Sequence, residues 1–356
     1  MSDASLDRPS ALRRLAAGVE PWRDGVTSVT ALLLLFLVVV PLVLLVIGSV
    51  AGTEGVTVSR YGEIFASERT YRLLLNSVIY AAGVATIALI VGGSTAWLIQ
   101  RTDVPGKGLF VFLVLAPAFM PPVLLIMSWI LMLDGNIGAI NRLLQGVLGL
   151  DGAPIDIYSL GGMIWVGGLL DVPLAFLWLW PAFAAMDPSL EEAAAMSRAG
   201  PWRSLRTVTL PLVWPAMAAA FLISFVMAIE DVTVPILVGL PGRVGVFATD
   251  IYLTQTQIPP DSVLASAQSV ILLVLTIVMM MGYRRLMRKS ERFAVVRGKG
   301  YRPAPVPLGR ARPFATVYLA LLALVSVGLP FLILIWTSLS PFLQVPSIAG
   351  LSRLSF

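Results

Sequence analysis

Residues 191–216 read EEAAAMSRAGPWRSLRTVTLPLVWPA, with two glutamates, three arginines and a Gly200-Pro201 break between apolar runs on either side. Just upstream, Asp187-Pro188 places a carboxylate at a helix N-cap and a proline at the first helical position. Good helix formers follow from Ser189 to Ala199, and Glu191 and Glu192 fall in or near the first turn, where negative charge suits the helix dipole. Gly200-Pro201 ends that helix and lets a second begin at Trp202. Leu210-Pro211 then marks entry into the membrane, proline being tolerated in a first turn. The expectation is a helix–break–helix elbow over 187–209. Two readings fit it: an amphipathic connector lying in the membrane interface, or a docking element for a partner.

The rest of the chain sets the setting for that elbow. Its 356 residues are 58% hydrophobic and 13% charged, against about 25% charged in a soluble domain, and the mean hydropathy is +0.88. This is an integral membrane protein. It contains no cysteine and no histidine, which excludes disulfides, thiolate nucleophiles, zinc sites and imidazole bases, and no metal site is expected. The net charge of +5 follows membrane topology, so nucleic acid is not an expected partner. Residues 1–28 form a polar tail with Arg8, Arg13, Arg14 and Arg23. No small-residue cleavage site follows the apolar run from Ala31, so that run is read as a retained span.

A helix needs about 20 apolar residues to cross a bilayer. Seven stretches qualify: 29–50, 73–99, 109–133, 160–185, 210–229, 264–283 and 314–339. Helices satisfy their own backbone in lipid, so the expected fold class is all-α, a polytopic transmembrane helical bundle. With the N-terminus in the cytoplasm, 19 of the 25 Lys and Arg residues fall on inside segments, as the positive-inside rule requires. That orientation puts the elbow in the cytoplasm.

At this point the residues carry a resemblance. Glu192-Ala193-Ala194, Gly200-Pro201, Val208 and Leu210-Pro211 resemble the EAA loop of permease subunits of binding-protein-dependent ABC importers, with 18 positions from Glu192 to Leu210. One position departs: the family's glycine falls on Arg198, two residues before Gly200, so the local bend differs or shifts. The span opening at Asn76-Ser77, Ala96-Trp97-Leu98 and the loop Arg101-Thr102-Asp103-Val104-Pro105-Gly106-Lys107 are similar to the same permeases. The basic segment from Glu291-Arg292-Phe293 to Gly298-Lys299-Gly300-Tyr301-Arg302-Pro303 is similar to the linker of fused, two-half members. The resemblance implies the type I importer permease fold, with the elbow as a coupling helix seated on a separate ATP-hydrolysing dimer. It implies a periplasmic substrate-binding protein as second partner and a place in the cell inner membrane. ATP is then bound by the partner, and the chain itself has no cofactor. Ferric iron is the first cargo it implies, with polyamine, thiamine or phosphonate as alternatives.

LFLVVVPLVLLVIGSV (35–50) and LVSVGLPFLILIWTSL (324–339) each carry a mid-span proline, Pro41 and Pro330, and a serine eight residues later, Ser49 and Ser338. Long-range self-similarity of this kind points to two copies of one unit. The expected organisation is a tail (1–28), a first permease half of six spans (29–285, elbow loop 187–211), a basic linker (286–312) and the start of a second half (313–356). Two full copies would need on the order of 550 residues, so the second half is expected to be completed elsewhere, in a longer chain or by another subunit.

Ionisable residues at membrane depth are candidates for a pathway. Glu230-Asp231, in MAIEDVTVPILVGLPG (227–242), precedes an apolar run too short to cross, which reads as a re-entrant piece. Adjacent carboxylates there would draw a cation; an ordinary solvated helix end is the other reading. Asp171, within the fourth span, either faces the pathway or bonds a neighbouring helix. Gly92-Gly93-Ser94, Gly161-Gly162 and Gly167-Gly168 are expected at close helix contacts, and Trp129, Trp165 and Trp178 to Trp180 at membrane interfaces or in packing. No G-x-x-x-x-G-K-[ST] occurs, so ATP hydrolysis is not expected of this chain. The rival class, a secondary transporter driven by an ion gradient, calls for inverted repeats and buried charge. Here both copies start inside and buried charge is scarce.

Overall fold

The computed structural model describes residues 21–52, 55–186, 201–287 and 305–340. Helix α1 (Pro21–Val50) leads into a two-residue antiparallel pair, β1 (Ala51–Gly52) with β2 (Gly55–Val56), and the short α2 (Ser59–Ala66). The 34-residue α3 (Glu68–Arg101) follows, about 50 Å long at 1.5 Å per residue and so longer than a bilayer core. Next come α4 (Lys107–Leu115), α5 (Pro122–Leu133), α6 (Ala139–Leu148) and α7 (Leu160–Ala184). The second part of the chain holds α8 (Leu210–Glu230), α9 (Phe247–Thr256), α10 (Ser262–Met287), α11 (Arg312–Ala323) and α12 (Leu329–Leu339).

Six helical stretches among the described residues have the length and apolarity of a span, and a seventh is a bent pair. The bent pair corrects the expectation of one helix over 109–133. Lys107–Phe119 and Pro122–Leu133 meet at 99°. Pro121 and Pro122 bring no N–H to the helix ladder, and Pro121 drives Met120 out of the α region, to φ −97° and ψ 144°.

A second correction concerns Leu210-Pro211, expected to open a new helix. Helical backbone instead runs unbroken from Pro201 to Glu230, through Pro201–Ser204 and a π turn at Leu205–Thr209. The Leu210 amide donates to the Leu205 carbonyl. Widening that turn moves the backbone that the Pro211 ring would otherwise strike.

The best-packed seam joins α3 to α7, with α8 against both. A Cβ on Gly92 would lie 2.9 Å from the Phe176 amide nitrogen and 3.0 Å from the Val172 carbonyl, so only glycine lets these backbones touch. Two apolar clusters divide the bundle lengthwise. One, around Tyr80, Ile126, Met163, Phe225 and Ile229, fills the half that includes Asp134 and Glu230, hereafter the far end. The other, around Ala96, Phe110, Phe176, Leu179 and Leu319, fills the half next to the elbow. Helix α1 packs on α10, and its apolar side chains are otherwise exposed, Leu33 at 57% and Phe36 at 62%, as suits a helix facing lipid.

Candidate functional site

Two regions hold the residues singled out in the sequence. The first is the elbow end. Glu192, Ala193, Ala194, Arg198 and Gly200 lie outside the described residues, as do residues 288–304 of the basic linker. Pro201 begins a helix, Val208 and Leu210 are half-buried and Pro211 is exposed. The frame around the elbow is well defined. Arg101, 3% exposed at the end of α3, donates from Nη1 to the Met186 carbonyl at 3.3 Å, one residue before the elbow begins. Its own carbonyl accepts from the Val306 amide at 2.7 Å, beside a parallel bridge between Thr102 and Val306. Asp103 accepts from the Leu308 amide at 2.9 Å and lies 4.0 Å from Arg312. One short loop, 101–103, thus holds both the entrance to the elbow and the approach to α11.

The second region is a cavity of about 210 Å³ on the far-end side of the bundle. It gathers Asp171 from midway along α7, Ser224 from α8, Asp231 and Thr233 from beyond α8, and Tyr80 from α3; Pro122, at the bend before α5, opens onto it. The other lining residues are apolar. Asp231 leaves the helix in an extended conformation, at φ −65° and ψ 133°. Its carboxylate accepts from the Thr233 amide at 2.9 Å, the Val234 amide at 3.3 Å and the Tyr80 hydroxyl at 2.9 Å. It therefore caps the turn that carries the chain into Pro235–Gly239, where Val238 is fully buried. That buried piece is the short apolar run expected to be re-entrant. Glu230 is exposed and does not line the cavity.

Asp171 and Ser224 differ from Asp231. Asp171 Oδ2 and Ser224 Oγ are buried and neither makes a hydrogen bond of normal geometry among the described residues, although the two side chains are neighbours. Both readings of Asp171 have a counterpart in the structure: it lines the cavity and its carboxyl sits beside the Ser224 hydroxyl of the neighbouring α8. Gly167 gives the cavity its shape: a Cβ there would lie 2.8 Å from the Tyr80 hydroxyl. Trp129 is buried and edge-on to Trp165 at 5.6 Å, and Trp180 meets Phe176 at 5.1 Å.

The far-end surface is ion-paired. Arg60 binds Asp261 at 3.0 Å, and Arg69 binds Asp250 at 2.6 Å, with Gln268 on the other carboxylate oxygen at 2.8 Å. Beyond the last turn of α5, Tyr158 donates to Asp134 at 2.9 Å. Burial pushes the Tyr158 phenol up to about 12, and the Asp134 bond adds to it.

Residues 88–292 match the family described as binding-protein-dependent transport system inner membrane component. The chain belongs to that family. Its matched segment takes in the end of α3, the bent pair, α7, the elbow, α8, α9 and α10. Among curated relatives, the ferric transport system permease protein FbpB of Actinobacillus pleuropneumoniae is 27% identical over 276 residues, covering 76% of this chain and 39% of the relative. The molybdenum transport system permease protein ModB of Azotobacter vinelandii is 29% identical over 168 residues, covering 47% of this chain and 72% of the relative. This permease-family chain spans about two fifths of the length of the ferric-transport relatives it matches. A solved bacterial ABC transporter involved in the import of the acidic polysaccharide alginate superposes with a TM-score of 0.61 at 18% identity, over 75% of this chain and 96% of that one. The fold is that of the type I ABC importer permeases.

Tyr80, Ser224 and Thr233 were not singled out in the sequence. The signal they offered was a polar side chain at membrane depth on each of several facing segments.

Proposed function

We propose that the chain is the membrane-spanning component of an ATP-driven, binding-protein-dependent importer of the bacterial inner membrane, and that it is not itself an enzyme. The observation carrying this reading is the family match across 88–292, which includes the elbow and the helices on both sides of it. A separate dimer of ATP-binding subunits grips the elbow from the cytoplasm, with Glu192, Arg198 and the Gly200-Pro201 break facing it. Closure of that dimer drags the elbow, and α8 follows, because helix runs without interruption from Pro201 to Glu230. A periplasmic binding protein delivers cargo at the far end, and a second permease half completes the pathway. The cargo we favour is ferric iron, supported by the likeness to a ferric transport permease and by the linker resemblance, with polyamine, thiamine or phosphonate as alternatives.

The test is capture. Photoreactive residues placed one at a time over 189–204 in native membranes are expected to crosslink an ATP-binding subunit, and Glu192→Lys to abolish capture while the chain still inserts. Crosslinks that never include such a subunit, or a wild-type level of capture by the Lys variant, would remove the docking role.

A further inference from the structure

We propose that the cavity between α3, α7 and α8 is a transient binding site for a small cation, with Asp171 and Ser224 as its ligands and the Tyr80–Asp231 pair as its fixed negative wall. Its use in transport rests on the importer reading above; its chemistry does not.

Ser224 is 1% exposed, lines the cavity beside Asp171 and makes no hydrogen bond of normal geometry with its hydroxyl. Asp171 Oδ2 is in the same condition. Buried polar atoms without a well-formed hydrogen bond are costly, and a carboxylate among largely apolar walls more so. Both facing one cavity calls for a ligand that relieves both. Such a ligand must present positive charge or N–H and O–H donors to Asp171. Asp231 reinforces this. It stays an acceptor, because the donors it receives come from two amides and from Tyr80, and in donating that bond Tyr80 leaves its own oxygen lone pairs free to face the ligand.

The cavity offers nothing to an anion. No Lys or Arg lines it, whereas oxyanion recognition calls for guanidinium, ammonium or clustered amides. Sugar stacking is equally unsupported, because the single aromatic ring on the wall is Tyr80. The donors are all oxygen, which suits hard metal ions and ammonium groups alike. Two carboxyls fall short of a metal cage, and no group of three or more acidic side chains suited to a metal converges among the described residues. A passing cation therefore fits better than a resident one. The volume of about 210 Å³ accommodates a diamine or a metal ion with part of its water shell.

The experiment uses the full chain in zwitterionic lipid nanodiscs, with no ATPase and no binding protein, and terbium(III) as probe. Terbium takes oxygen ligands, and its emission is sensitised by nearby tyrosine. Wild type is expected to give saturable emission that molybdate does not displace. Asp171→Asn is expected to weaken terbium at least tenfold and Ser224→Ala about threefold, while Glu63→Gln on the far-end surface leaves it unchanged. Displacement by putrescine as well as lanthanum would mark a general cation site, and displacement by lanthanum alone a hard-metal site; both uphold the proposal. Ser224→Ala removes a hydroxyl that makes no hydrogen bond of normal geometry, so it keeps the test open should Asp171→Asn fail to fold. No saturable emission from monodisperse wild-type protein would overturn the proposal, as would unchanged affinity in both variants or displacement by molybdate. Since the assay contains no partner subunit, failure to capture an ATPase at the elbow would leave this result standing, and the reverse holds too.

Discussion

Asn141 ties the end of α5 to the loop that leads into α7. It is 1% exposed, donates to the carbonyls of Leu133 at 2.7 Å and Ile155 at 2.8 Å, and accepts from the Ile155 amide at 3.1 Å. Asn141→Ala leaves three backbone groups unsatisfied, a loss of roughly 2–3 kcal/mol, expected as a lowered midpoint of thermal unfolding in detergent. The neighbouring Asp134–Tyr158 bond makes this loop respond to pH at both extremes. Burial raises the Asp134 carboxyl, but the Ile137 and Asn136 amides and the Tyr158 hydroxyl outweigh it and hold the group below its usual range. Its contribution is complete above about pH 4 and is lost as pH falls through the depressed folded value. Tyr158 runs the other way: its contribution is complete below about pH 10 and fades as pH rises through about 12. Hydrogen exchange at Asn136 and Ile137, corrected for intrinsic rate, is expected to stay slow between these limits and to quicken outside them. At this scale the sequence was only partly legible. Asp171 and Asp231 stood out because a carboxylate in an apolar run is rare. Ser224 did not, because a hydroxyl within a span usually bonds a carbonyl one turn back, as Thr86 does to Ala82 and Thr95 to Val91, each at 2.7 Å. Only the packed structure separates a satisfied hydroxyl from an unsatisfied one.

Three Leu-Pro pairs set how the helices deform. Leu210, Leu240 and Leu329 each donate an amide to a carbonyl five residues back, and each is followed by a proline, Pro211, Pro241 and Pro330. The widened turn is how the chain accepts proline within or at the end of a helix without breaking it. Apolar run length shows that a span exists but not that its turns are widened, which is why Leu210-Pro211 reads as a helix start in the sequence. The same averaging hides the bend at Met120, where flanking leucines and valines keep 109–133 uniformly apolar. The glycine contacts were legible for Gly92-Gly93 and Gly167-Gly168, which meet facing helices, but not for Gly161-Gly162: Gly161 is exposed and Gly162 abuts Ile157 in the turn before its own helix. Gly92→Val would drive its side chain into the Phe176 and Val172 backbone, which has nowhere to go. Overpacking of this kind costs about 1–3 kcal/mol, expected as a several-fold fall in the amount of protein recovered from membranes. Gly25→Ala, with nothing within 4 Å, is the neutral control.

Across the whole molecule, the number of spans followed from lipid thickness, while their mutual placement depends on contacts distant in sequence. The clearest is the pairing of Thr102 with Val306, which ties the approach to α11 to the end of α3. The chain has no cysteine of its own, so Thr102→Cys with Val306→Cys gives an unambiguous readout. Rapid oxidation to an intramolecular disulfide is expected, and failure to form it would mean that residues 305–308 do not sit there. The division of the bundle into two apolar clusters has an electrical consequence. The cavity opens within the far-end cluster, so the plug around Phe176, Leu179 and Leu319 is what separates it from the elbow side. A membrane that stores a voltage tolerates no standing leak, and whittling that plug with Leu179→Ala and Leu319→Ala is expected to appear as conductance in a planar bilayer before it appears as any change in solute selection.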